Sequence, residues 1–239
     1  MISNDALSFT PGLSLRQAAI VAGIAYFLMP VAIAEFYIKP KLIIAGDIER
    51  TSQNIALHGP LFATAILCYF ITYILDIVIA WALYILLAPV NRSLSLLAAW
   101  FRLIYAVLAL APTPHLLTAY RLLHTPIYLQ TFGAGPLHGQ VQLQLDLYQY
   151  GWGLVIFGIH LVLLGYLVYR SRYIPRVLGV VLVLVGLIWI VIPPGPALFP
   201  NLKLGFLLPV SAIELLLPLW LLIRGWKIKE PVRSQAVAV

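Results

Sequence analysis

The chain has 239 residues, of which 62% are hydrophobic and only 10% charged, and its formal net charge is +7. That leaves too little polar surface to coat a soluble globule of this size, so the composition excludes a water-soluble fold and makes a bilayer the expected solvent. The basic residues sit mostly at the ends of apolar runs, with no basic stripe interleaved with aromatics, so the expected partners are anionic lipid headgroups rather than nucleic acid.

Apolar segments at 16–38, 60–88, 93–111, 144–169, 176–196 and 205–224 each approach the roughly 20 residues that a helix needs to cross a hydrocarbon core. The expected fold is therefore an all-α membrane protein: a single transmembrane domain over 1–239, built as a six-transmembrane-helix bundle. Arg16 ahead of a stretch ending in Ala32-Ile33-Ala34 also fits a signal-peptidase pattern, and we read the segment as a retained first span. After it, Asp47 is placed to cap a short helix in the connection 39–59.

The second span runs into Pro89-Val90-Asn91-Arg92, a tight turn that makes the third span its antiparallel neighbour. The long outer loop 112–143 contains His115 to His124, with the pattern of an amphipathic helix lying in the interface, and Gly133-Ala134-Gly135-Pro136 ends that helical region. Glycines 151, 158 and 165 recur every seven residues on the fourth span, leaving a face where another helix can approach closely. Residues 170–175 turn the chain into the fifth span. Cys68, the only cysteine, is read as a packing residue.

Six crossings put both termini on one side. That side carries Arg16, Arg92, Arg170, Arg172, Arg176, Arg224, Lys227, Lys229 and Arg233, against Lys39, Lys41, Arg50, Arg121 and Lys203 opposite, so the termini are expected in the cytoplasm.

Asp76, Arg102, His160 and Glu214 each fall near the middle of a different span. At about 1.5 Å of rise per residue, each lies roughly 15 to 18 Å from the cytoplasmic edge of a core about 30 Å thick. Charges at that depth are costly, and they are expected to meet one another. Tyr69, Thr72 and Tyr73 share a helical face with Asp76, and Ala98, Ala99, Tyr105 and Ala106 share one with Arg102; small residues beside a charge point to a protein-facing surface. We expect an Asp76–Arg102 ion pair, with Tyr69, Tyr73 and Tyr105 lining the site. Pro218 cannot donate to the carbonyl of Glu214, so a free carbonyl, the Glu214 carboxylate and the Ser211 hydroxyl gather on one face, with His160 a candidate partner. Glu35, near Lys39 and Lys41, reads as an interfacial salt link.

Neither His-Glu-x-x-His nor His-x-x-x-His occurs, and no metal site is expected; His115, His124 and His138 are the histidines nearest to forming one. No phosphate loop, dinucleotide fingerprint or nucleophile elbow is present, and no cofactor is predicted. Ligation of a tetrapyrrole by His160, with Gly153 and Gly158 providing space, stays open.

Several stretches resemble a bacterial integral membrane family known as a domain of unknown function, DUF4386. They are Arg16 with Ala22-Gly23-Ile24-Ala25-Tyr26; Asp76, Ala82-Leu83-Tyr84, Pro89-Val90-Asn91 and Arg102; Phe157 to Leu161; Gly165 to Ser171; Ile174 to Gly179; and Glu214 with Leu219 to Ile223 and Gly225. The resemblance covers most of 16–226, leaves out 112–143, and implies a bacterial cytoplasmic-membrane protein with no assigned activity. The expected function is that of a non-enzymatic bundle binding a proton, ion or small amphiphile at the Asp/Arg/His/Glu cluster, either alone or as an accessory subunit with other membrane proteins. The alternatives are an intramembrane lipid-modifying enzyme using His160 or Glu214 as base, and a structural protein in which the charges only set helix order.

Overall fold

The computed structural model describes residues 12–149, 153–195 and 212–228, and every regular element among them is helical. The elements are α1 (Leu15–Phe27), a π-helical turn (Ile33–Ile38) running into α2 (Lys39–Leu42), α3 (Ile48–Leu57), α4 (Gly59–Leu87), α5 (Arg92–Leu110), α6 (Thr113–His124), α7 (Pro126–Phe132), α8 (Ala134–Gln149), α9 (Gly153–Arg170), α10 (Arg176–Val191), and α11 (Leu216–Arg224), which is preceded by a 3-10 turn (Ala212–Leu215).

Helix starts follow local chemistry. Ser14 and Gln17 form a reciprocal capping box on α1. Asn91 accepts from the Leu94 amide, and Asp47 accepts from the Arg50 amide at 2.8 Å, as its position before α3 suggested. Asp47→Ala is expected to cost about 1 kcal/mol, read as a lower unfolding midpoint in detergent; no change would mean that α3 is held by packing alone.

Helical runs at Gly59–Leu87, Arg92–His124 and Ala134–Arg170 are long and apolar enough to cross a membrane, the last passing over residues outside the described set. Their setting is apolar too: Phe27, Phe36 and Val177 are 78%, 83% and 71% exposed, a surface suited to lipid. Two expected spans come out shorter. The helix expected over 16–38 breaks at Leu28–Pro30, because Pro30 has no amide to donate and disfavours helical geometry in the residue before it. The one expected over 176–196 ends at Val191, ahead of Pro193-Pro194. Of the span expected over 205–224, residues 205–211 lie outside the described residues.

The 29-residue helix α4 is shared by two apolar cores. Its first half packs with the π turn, α2, α3, α6 and α8 around Ile38, Leu42, Ile55, Leu116 and Val141. The segment 112–143 is therefore not a surface loop with one interfacial helix. It folds as α6, α7 and the start of α8, with α6 burying Leu116, Ala119 and Leu122 against α8 and α4. Gly133, at a φ of 73°, separates α7 from α8.

The second half of α4 belongs to a ring. Contacts run α11–α1–α4–α5–α9–α10, then from α10 back to the 3-10 turn before α11. The closest approach is between α9 and α10, where Gly158 faces Gly186 and Gly165 faces Gly179. A Cβ on Gly165 would stand 2.6 Å from the Gly179 carbonyl oxygen, so both positions require glycine. Between these helices, Tyr173 donates to the Leu86 carbonyl at 2.5 Å and ties the connecting turn to the end of α4; burial there raises the Tyr173 phenol well above its usual range.

Candidate functional site

Five helices of the ring and the 3-10 turn before α11 each contribute a polar side chain to one cluster: Tyr26 from α1, Asp76 from α4, Arg102 from α5, His160 from α9, Trp189 from α10 and Glu214 from the turn. Arg102 is the hub. Its Nη2 meets Asp76 Oδ1 at 2.5 Å, and its Nη1 donates to the Tyr26 hydroxyl at 2.6 Å and approaches His160 Nε2 at 3.3 Å. The guanidinium also lies 4.8 Å from the Tyr26 ring centre and 5.5 Å from that of Phe157. Asp76, Arg102 and His160 are no more than 2% exposed.

Backbone geometry fixes the state of the imidazole. His160 Nδ1 lies 2.8 Å from the Ala98 carbonyl, an acceptor, so Nδ1 carries the proton and donates. Nε2 then presents its lone pair to Arg102, whereas an imidazolium would set two donors against each other. The small side chains of Ala98 and Ala99 let α9 come close enough for this contact.

Glu214 sits at the rim, partly buried, and accepts from the Trp189 indole at 3.3 Å. It lies within electrostatic range of Tyr26, Asp76, Arg102 and Tyr105. The expected His160–Glu214 pairing is not formed, because both imidazole nitrogens are engaged elsewhere. Ser211 lies outside the described residues.

The Tyr105 ring packs tilted against Phe157, with 4.7 Å between ring centres. Tyr69 and Tyr73 turn to a second polar group instead: Tyr69 donates to Glu35 at 2.7 Å, and the Tyr73 and Tyr148 hydroxyls are 3.2 Å apart. Glu35 also pairs with Lys39 at 3.0 Å, the salt link expected there, while Lys41 lies over the Tyr37 ring.

Sequence reasoning missed Tyr26, Phe157, Trp189 and Tyr148. Tyr26 was within reach, since it follows Arg16 by the same ten residues that separate Arg102 from Arg92. Trp189 carries no charge to betray its depth.

The space expected beside His160 for a tetrapyrrole is filled. A Cβ on Gly158 would meet the Gly186 carbonyl and Ile190, and one on Gly153 would touch Leu108. With both nitrogens hydrogen-bonded as well, His160 does not fit as an axial ligand. Among the described residues, no three His, Cys, Asp or Glu side chains gather as a metal site; His115 bonds Gln144 and His124 bonds the Tyr120 carbonyl.

The family model for a domain of unknown function, DUF4386, matches residues 21–225. The chain belongs to the DUF4386 family. An uncharacterized protein of Archaeoglobus fulgidus is 32% identical over 170 residues, covering 69% of this chain and 86% of that protein. No solved structure matches. Tyr26, Asp76, Arg102, His160, Trp189 and Glu214 all fall within the DUF4386 match.

Proposed function

We propose that this DUF4386 protein is a non-enzymatic six-helix membrane bundle, with both termini in the cytoplasm, that takes up a proton or a small cation at Glu214. Three helical runs meet the length for crossing, and the closed order of α1, α4, α5, α9, α10 and α11 supports crossings by the shorter members. Nine basic residues on the terminal side support the orientation.

One observation carries the binding reading. The cluster holds two carboxylates, Asp76 and Glu214, and one guanidinium, with the imidazole neutral by its hydrogen bonds. Arg102 commits its terminal nitrogens to Asp76, Tyr26 and His160, and among the described residues Glu214 has only an indole donor. Among the described residues the cluster is therefore one positive charge short in surroundings poorer in water than the surface, and a proton or a cation supplies it. A lipid-modifying enzyme with His160 as base fits less well, since that imidazole is 1% exposed; with Glu214 as base, it would use the same partly exposed carboxylate that takes up the proton or cation here.

Trp189 reports directly on Glu214. Its emission, taken as the difference between wild type and Trp189→Phe, is expected to change on acidification, and Glu214→Gln is expected to abolish the change while the protein stays folded. Titration with sodium or potassium at fixed pH separates a cation from a proton. An unaltered response in Glu214→Gln would rule the carboxylate out.

A further inference from the structure

The second polar group and the central cluster lie on one face of α4. Tyr69, Thr72, Tyr73 and Asp76 follow at helical spacing, spanning about 10 Å along the axis at 1.5 Å per residue. At one end is Glu35, with its side chain 35% exposed and carried by a π-helical turn, a geometry that recurs at functional sites. At the other end is the buried cluster.

Two hydroxyl contacts lie along the face between them. Tyr69 donates to Glu35, and Tyr148 contacts Tyr73. Tyr69 and Tyr148, whose rings are 5.2 Å apart, both line a cavity of about 20 Å³ whose wall is mostly apolar, with Lys39 and Gln149 its other polar members. That is room for one water molecule. Tyr105, whose ring contacts Phe157, is within electrostatic range of Tyr73, Asp76, Arg102 and Glu214. Thr72, 4% exposed, has a buried hydroxyl with no partner among the described residues, a further anchor for water on the same face.

We propose that Glu35, Tyr69, Tyr148, Tyr73 and Tyr105 form a proton path from the membrane surface at the Glu35 end to Glu214. The proposal rests on Glu214 as the acceptor and adds the route and the end of the bundle from which the proton enters. A proton arriving at the Glu35 carboxylate passes along the chain as each phenol accepts one proton on its oxygen and releases its own. Water bridges the separated hydroxyls. All phenols are re-formed, one proton is moved, and no bond to carbon changes.

Among the described residues, the charged and titratable groups facing the path are Lys39, paired with Glu35 at the entrance, Cys68 within electrostatic range of Tyr69, and Asp76, Arg102, Tyr26 and His160 around the inner end. Arg102 keeps Asp76 occupied, so the proton passes to Glu214.

The test follows Trp189 emission in stopped flow after an external pH drop, with the protein in phosphatidylcholine liposomes. Tyr73→Phe, Tyr148→Phe and Glu35→Gln are each expected to slow the change at least tenfold and leave its final amplitude and the melting temperature unchanged. Phenylalanine keeps the ring and its packing, so the rate isolates the hydroxyl; Tyr120→Phe, away from the path, serves as the control. A wild-type rate in all three variants would overturn the path. A changed amplitude at an unchanged rate would also overturn it, marking the tyrosines as structural. No response in wild type would instead remove Glu214 as the acceptor, and the path with it.

Discussion

Replacing Arg102 by methionine is expected to destabilise the protein by about 3–5 kcal/mol, the usual range for removing one partner of a buried ion pair. Methionine fills similar volume but leaves the Asp76 carboxylate buried without a counter-charge and withdraws the donor from Tyr26 and His160. Lysine at this position is expected to recover only part of the loss, because a single ammonium cannot reach three partners with the fixed fork of a guanidinium. The exchange Asp76→Arg with Arg102→Asp separates pair energy from the rest of the cluster. It restores the charge pair but moves the guanidinium to α4, away from the Tyr26 and His160 contacts made from α5, so partial recovery is expected. Full recovery would show that only the pair matters, as in a purely structural role. The readout is the unfolding midpoint in detergent, and a loss below about 1 kcal/mol for Arg102→Met, the worth of an ordinary exposed pair, would contradict the buried geometry.

The second large effect is expected at the α9–α10 seam. Gly165→Ala or Gly179→Ala drives a methyl group into backbone, 2.6 Å from the opposite glycine carbonyl, and a backbone cannot step aside as a flexible side chain can. Each is expected to cost at least 1–3 kcal/mol, the range for overpacking, and Gly165→Leu is expected to prevent the two helices from pairing. Gly135 and Gly139 provide the controls: a Cβ at either meets nothing within 4 Å, so alanine there is expected to be neutral or mildly stabilising. Equal tolerance at seam and control positions, measured by thermal unfolding, would mean that the helices do not pack so closely.

The seam was legible in the sequence because glycine spacing reports where backbones meet: the recurrence of 158 and 165 has its mirror in 179 and 186 across a short turn. The Asp76–Arg102 pair was legible for a different reason. Two lone charges at one depth on helices joined by four residues have few other ways to be neutralised. Helix breaks were less visible, since hydropathy runs smoothly through Pro30 although the backbone does not. The segment 112–143 was misread because a bilayer-facing helix and a protein-facing helix share the same amphipathic pattern. Only tertiary contact tells them apart, and Leu116, Ala119 and Leu122 pack on α8 and α4. Tyr69 and Tyr73 were assigned to Asp76 by helical phase, which fixes a face but not how far along it a long side chain reaches.

The infrared difference spectrum between acidic and neutral protein in lipid nanodiscs bears most directly on the cluster in which, among the described residues, two carboxylates share one guanidinium. We expect the C=O stretch of a protonated carboxylic acid that disappears in Glu214→Gln and persists in Glu35→Gln, or, where a cation fills the role, a carboxylate shift on cation addition with the same dependence on Glu214. A spectrum in which Glu214→Gln removes neither signal would show that the interior carries no such charge deficit.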